Sequence, residues 1–252
     1  METNVLSPLR KGEIIGGFIY LPMYLIGTQL LLSLLFKLLS MDLTADDTIL
    51  WLNFGYNLVN LIAILLIFRR FLLGQLRSFS GSVGRIIGTI FLGYAIVYGG
   101  NFIINLVTVL LKLSGLDYSN ANQNAVADLV LARPLLTLPM VVLAAPIVEE
   151  TLFRGLIFGL LHRKSRVLAY AVSMILFAGL HVYQPLMLGE VWYNVLISFL
   201  TYLPMGFALA WVFARCRSLW GSIALHALNN TVAVIGILIM HQLSGLTDQL
   251  PF

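Results

Sequence analysis

The stretch LLTLPMVVLAAPIVEETLFRGLIFGLL, residues 135–161, is apolar enough to cross a bilayer yet holds Glu149, Glu150 and Arg154 in its interior. A membrane-spanning helix needs roughly 20 apolar residues at about 1.5 Å rise each. Charged side chains at that depth cost several kcal/mol, face the protein interior and default to a functional reading. Outward from this segment, two further apolar runs carry isolated polar groups: Phe177 and His181 in one, His226 and Asn230 in the other. Paired carboxylates, a guanidinium and two imidazoles inside apolar segments point to chemistry.

The rest of the chain agrees with a membrane setting. Of 252 residues, 60% are hydrophobic and 10% charged, against roughly 25% charged in a soluble domain. Candidate spans fall at 14–36, 49–68, 86–111, 135–161, 167–188, 191–214 and 219–241, which predicts an all-α, polytopic bundle of about seven transmembrane helices. The first run is too long for a signal peptide and lacks a small-residue cleavage site, so it reads as a retained helix. Residues 1–252 read as a single domain with its motif-bearing core at about 135–241, since neither long connection, 69–85 or 112–134, has the apolar content for a second core. Residues 125–133 alternate at roughly helical spacing and are expected along the outer interface.

Orientation follows from the basic residues. Arg10 and Lys11, the arginines from Arg69 to Arg85, then Arg163, Lys164 and Arg166, and finally Arg215 and Arg217 share one side, against Lys112 and Arg133 on the other. The positive-inside rule therefore predicts a cytoplasmic N-terminus in a multi-pass protein of the cell membrane. The net charge of +4 is accounted for by basic loops beside anionic lipid and calls for no nucleic acid. A single cysteine, Cys216, can form no disulfide within the chain and offers no zinc-binding spacing.

Helix geometry assigns different tasks to the adjacent carboxylates. Glu150 and Arg154 are four apart and share a face, so they can pair along the helix, whereas Glu149 points about 100° away. Pro146 removes a backbone donor just before them, and a kink there would help aim Glu149. Counted from the basic ends of their helices, Glu149 and His181 lie roughly 18 and 21 Å deep and His226 and Asn230 roughly 10 and 16 Å. Convergence on one water-containing cavity in the inner half of the bilayer is the expectation.

The strings EETLFR at 149–154, FAGLH at 177–181 and HALNN at 226–230 resemble the EExxxR, FxxxH and HxxxN motifs of a known family. This is the CAAX protease and bacteriocin-processing (CPBP, or Abi) family of intramembrane endopeptidases, which includes the type II CAAX prenyl proteases. The resemblance covers about 100 residues of motif-bearing core. It implies hydrolysis of a peptide bond in a membrane-associated protein or peptide by an activated water, with Glu149 as general base and His181 holding the water. It implies that His226 and Asn230 stabilise the oxyanion, with Glu150 and Arg154 as support. No cofactor is expected. The alternative is zinc held by Glu149, His181 and His226, although HExxH, which preorganises such an ion, is absent.

Other readings stand beside this one. Glu150 with Arg154 can be a structural pair alone, the histidines can be interhelical hydrogen-bond partners, and Asn230 can cap a neighbouring backbone. The whole chain can be a non-catalytic membrane scaffold or a bacteriocin-immunity factor binding a partner protein, although its three motifs are intact. A proton-coupled transporter would also bury such groups, but would more often show inverted repeats.

Overall fold

Apolar runs of this length become helices because hydrocarbon offers the backbone no other hydrogen-bond partner. The computed structural model describes residues 9–79 and 83–247, and every regular element among them is helical. In chain order these are α1 (Lys11–Leu38), α2 (Asp46–Ile67), α3 (Arg69–Phe79), α4 (Val83–Leu113), α5 (Ala121–Ala132), α6 (Pro134–His162), α7 (Arg166–Met187), α8 (Trp192–Cys216) and α9 (Leu219–Thr247). Seven of them, all but α3 and α5, are long and apolar enough to cross a membrane. The exposed surface matches a lipid solvent: Leu135 is 86% exposed, Leu66 72% and Phe102 71%, positions that water would penalise. The chain is a multi-pass integral membrane protein.

Helix ends are set by local chemistry. Asn120 Oδ1 accepts from Gln123 N (3.1 Å) to start α5, and Ser165 Oγ accepts from Leu168 N (3.3 Å) to start α7, each satisfying a donor that the first turn leaves open. Gly115 and Gly189 take φ of +88° and +81° after α4 and α7. In both places the next residue's N–H returns five residues, from Leu116 to Leu111 and from Glu190 to Pro185, the Schellman ending that glycine allows.

α3 is the element that the sequence reading leaves as plain connection. Glu13 near the start of α1 accepts from Phe71 N (2.8 Å) in its first turn, where a carboxylate suits the helix dipole. Gln75 Oε1 accepts from Leu219 N (2.8 Å), and Trp220 Nε1 donates to Leu72 O (3.2 Å). α3 thus ties the beginnings of α1 and α9 together on the face that carries the basic connections.

α6 runs through the centre, touching α1, α2, α7, α8 and α9. It is not a uniform α-helix: Met140–Ala144 and Thr151–Phe158 are π-helical, as is Met23–Gly27 in α1. Two of these widened turns begin on the residue after a proline, Pro22 and Pro139. A proline denies the ladder an N–H and crowds the preceding turn, and π turns of this kind cluster at functional sites.

Candidate functional site

The most buried cation in α6 organises one half of the site. Arg154 and Glu150 are both 0% exposed. Arg154 donates from Nη1 to Glu150 Oε1 (3.0 Å) and from Nη2 to the carbonyl of Gly206 on α8 (3.1 Å), while its guanidinium lies 4.4 Å from the centre of the Phe177 ring. Gly206 lets α7 pack this closely on α8, because a Cβ there would sit 3.1 Å from Met174 Cα. Glu150 also accepts from His226 Nδ1 (3.0 Å) and meets the hydroxyl of Ser222, which lies between it and the carbonyl of Leu209 (3.0 Å). A buried charge is stable only with such saturation.

Glu149 has the opposite environment. It is 8% exposed, and its Oε2 is buried without a hydrogen-bond partner. His181 Nε2 lies 4.0 Å from it. His181 Nδ1 lies 2.8 Å from the carbonyl of Phe177, and a carbonyl only accepts, so Nδ1 carries the proton and Nε2 presents a lone pair in the neutral ring. Tyr202 stacks on that ring with centroids 4.2 Å apart at 25°, and Asn122 at the start of α5 donates to the Tyr202 hydroxyl (2.8 Å). Tyr24, 4% exposed in the π turn of α1, also interacts with Glu149.

Glu149, His181, His226 and Asn230 all line one cavity of about 1040 Å³. Asn230 Nδ2 donates to the carbonyl of Val141 (2.9 Å), which leaves its second amide hydrogen available. The cavity does not lie where depth counting puts it. Its wall also contains Leu43, Asn53, Asn122 and Asn124, so it runs from the middle of α6 toward the connections 39–45 and 114–120, opposite the basic face. Depth along single helices does not register that α5, expected to lie along the interface, contributes its polar first turn to the cavity wall.

Among the described residues no three His, Cys, Asp or Glu side chains are placed to hold one metal ion. Glu149, His181 and His226 are not gathered around one point closely enough to hold zinc as they stand, although the Nδ1 contact of His226 with Glu150 leaves its Nε2 open.

Tyr24, Tyr202, Ser222 and Gly206 belong to the site and were not singled out from sequence. Ser222 carried a signal: with His226 and Asn230 it forms an i, i+4, i+8 stripe on α9. Tyr24, Tyr202 and Gly206 carried none, because their roles depend on which helices pack together.

Residues 131–232 match the family model described as Rce1-like, type II CAAX prenyl endopeptidase. Among curated proteins, the chain is similar to "Putative membrane peptidase YdiL" of Bacillus subtilis (strain 168), with 31% identity over 122 residues, 48% of this chain and 45% of that protein. It is also similar to "UPF0177 protein YxdF" of Lactococcus lactis subsp. lactis (strain IL1403), with 29% identity over 123 residues, 48% of this chain and 62% of that protein. The chain thus spans about half the length of the curated relatives it matches. No solved structure matches.

Proposed function

We propose that the chain is an intramembrane endopeptidase cutting a membrane-associated protein or peptide, a reading supported by the match of residues 131–232 to the Rce1-like family model. The observation that carries this reading is the contrast between neighbours: Glu150 is saturated by donors, while Glu149 Oε2 has no hydrogen-bond partner and faces His181 Nε2 at 4.0 Å. Two acceptors facing each other need a donor with two hydrogens between them. A water oxygen at about 2.8 Å from each satisfies both.

In this mechanism Glu149 takes the proton as the water oxygen attacks the scissile carbonyl, then returns it to the leaving amine; such transfer contributes typically 10²–10⁴ in rate. His181 keeps the water oriented, and its own ring is fixed by Phe177 O and Tyr202. With Nδ1 given to Glu150, His226 can donate to the oxyanion from Nε2 only as the imidazolium, beside a carboxylate that suits that cation. The remaining amide hydrogen of Asn230 is the second oxyanion donor. Glu150 and Arg154 hold this arrangement without touching substrate. No metal step is required.

Quantitative proteomics of membranes from cells carrying the wild type or Glu149→Gln tests the activity. A substrate that accumulates intact only with the variant, and is cut by purified wild-type protein, is the expected result. Identical membrane proteomes, with no peptide cut in vitro, overturn the protease reading in favour of a partner-binding scaffold.

A further inference from the structure

Away from Glu149, the cavity wall is rich in carboxamides. Asn53 and Asn57 of α2 and Asn122, Gln123 and Asn124 of α5 line it. Asn53 Nδ2 donates to Ile49 O, Asn57 Nδ2 to Asn53 O and Asn124 Nδ2 to Ser119 Oγ, each at 2.9 Å. Each contact uses one of two amide hydrogens and leaves a donor and a carbonyl oxygen, the same pair that a peptide bond presents. Among the described lining residues none is Lys or Arg, and Glu149 is the acidic one. Arg154, the nearest buried cation, is occupied by Glu150 and Gly206. A carboxylate carried into this space would meet Glu149 and no fixed guanidinium or ammonium; the His226 ring is already paired with Glu150, so neutral carboxamides alone would replace the hydration it loses.

We propose that the amide-lined wall between α2 and α5 is a binding subsite for an uncharged, extended stretch from the interior of a polypeptide. The chain enters from the face of residues 39–45 and 114–120, opposite the basic connections. Main-chain amides pair with the carboxamides, and the absence of a partner for a carboxylate disfavours acidic residues or a free carboxyl end close to the bond that is cut. The inference rests on the protease reading for cleavage, but binding is measurable by itself.

The test uses the full chain with Cys216→Ala, carrying Gln123→Cys at the cavity mouth, in proteoliposomes. Alkylation of the new thiol by a fluorescent maleimide is followed with two peptides: one acetylated and amidated, built from Ala, Leu and Gln, and a twin with Glu at alternate positions and a free carboxyl end. The neutral peptide should slow labelling about tenfold at roughly ten times its Kd, the twin should not, and a thiol at Val83 should be unaffected. Equal protection by both peptides, or by neither up to the solubility limit, overturns the subsite. In sealed vesicles an impermeant maleimide should reach Gln123→Cys and Lys164→Cys from opposite sides; labelling from one side overturns the entry face. Adding Glu149→Gln should leave protection intact. If that protection persists while the wild type cuts nothing, the protease reading fails and the subsite stands.

Discussion

The carboxamide of Asn230 on α9 donates to the carbonyl of Val141 on α6 at 2.9 Å, one helix reaching across to repair the backbone of another. Val141 lies in the π turn Met140–Ala144, where Ala145 N already returns five residues to Met140 O. The same register would assign Val141 O to the nitrogen of residue 146, which is proline and has no hydrogen. Pro146 thus creates the vacancy that Asn230 fills, and the bond fixes α9 against the segment that presents Glu149.

A specific coupling follows from that bond. Asn230→Ala strips a half-buried carbonyl of its partner and should cost about 1–2 kcal/mol. Pro146→Ala supplies a backbone hydrogen, so the asparagine change should be less damaging in that background. A double-mutant cycle on thermal unfolding in detergent measures the coupling, and strictly additive effects would refute it.

The adjacent glutamates should respond in opposite ways. Removing Arg154 leaves Glu150 charged and fully buried, so Arg154→Ala should destabilise by about 3–5 kcal/mol and lower the yield of folded protein. Glu149 Oε2 has no hydrogen bond to lose, so Glu149→Gln should leave stability unchanged or raise it while removing cleavage, a trade expected of a site built for activity. Yield and melting temperature in one detergent decide the matter; equal losses in both variants would contradict the division of roles.

Much of this division was legible because a helix converts sequence spacing into direction. Four residues separate Glu150 from Arg154 and His226 from Asn230, and one residue separates the two glutamates, so sharing or splitting a face follows from 3.6 residues per turn. Seven spans were legible because hydrocarbon thickness sets helix length. What spacing cannot give is which helices touch. Tyr24 and Tyr202 meet the site from α1 and α8, and the cavity opens beside α5 although depth counting points to the other face. Nor does spacing show that His226 turns to Glu150 rather than Glu149, because that depends on the rotation of α9 against α6.

Tyr202 tests how far orientation of His181 matters. Its ring stacks on the imidazole, and its hydroxyl is held by Asn122. Tyr202→Phe keeps the stacking surface and should reduce kcat only slightly, whereas Tyr202→Ala frees the ring and should lower kcat by about 10- to 100-fold, the scale of a misplaced reacting group. KM should move much less, because the effect acts through the water and not through substrate contacts. A loss confined to KM would assign Tyr202 to substrate binding instead.

The choice between glutamate and metal turns on whether an ion sits among Glu149, His181 and His226. A zinc held by Glu149, His181 and His226 would need three donors about 2.0–2.2 Å from one point, with Nε2 as the donor of His226 because its Nδ1 is engaged by Glu150 at 3.0 Å. If water is activated by Glu149 and His181 alone, active enzyme should contain no stoichiometric metal and should keep its kcat through prolonged dialysis against chelator. Ser222→Ala, which removes a hydroxyl from Glu150 and not from any candidate ligand, should then weaken activity through the orientation of His226 without changing metal content. Elemental analysis of active protein paired with activity after chelation gives the answer: one zinc per chain, with activity lost on removal and regained on adding zinc back, would recast Glu149, His181 and His226 as ligands and overturn the glutamate mechanism.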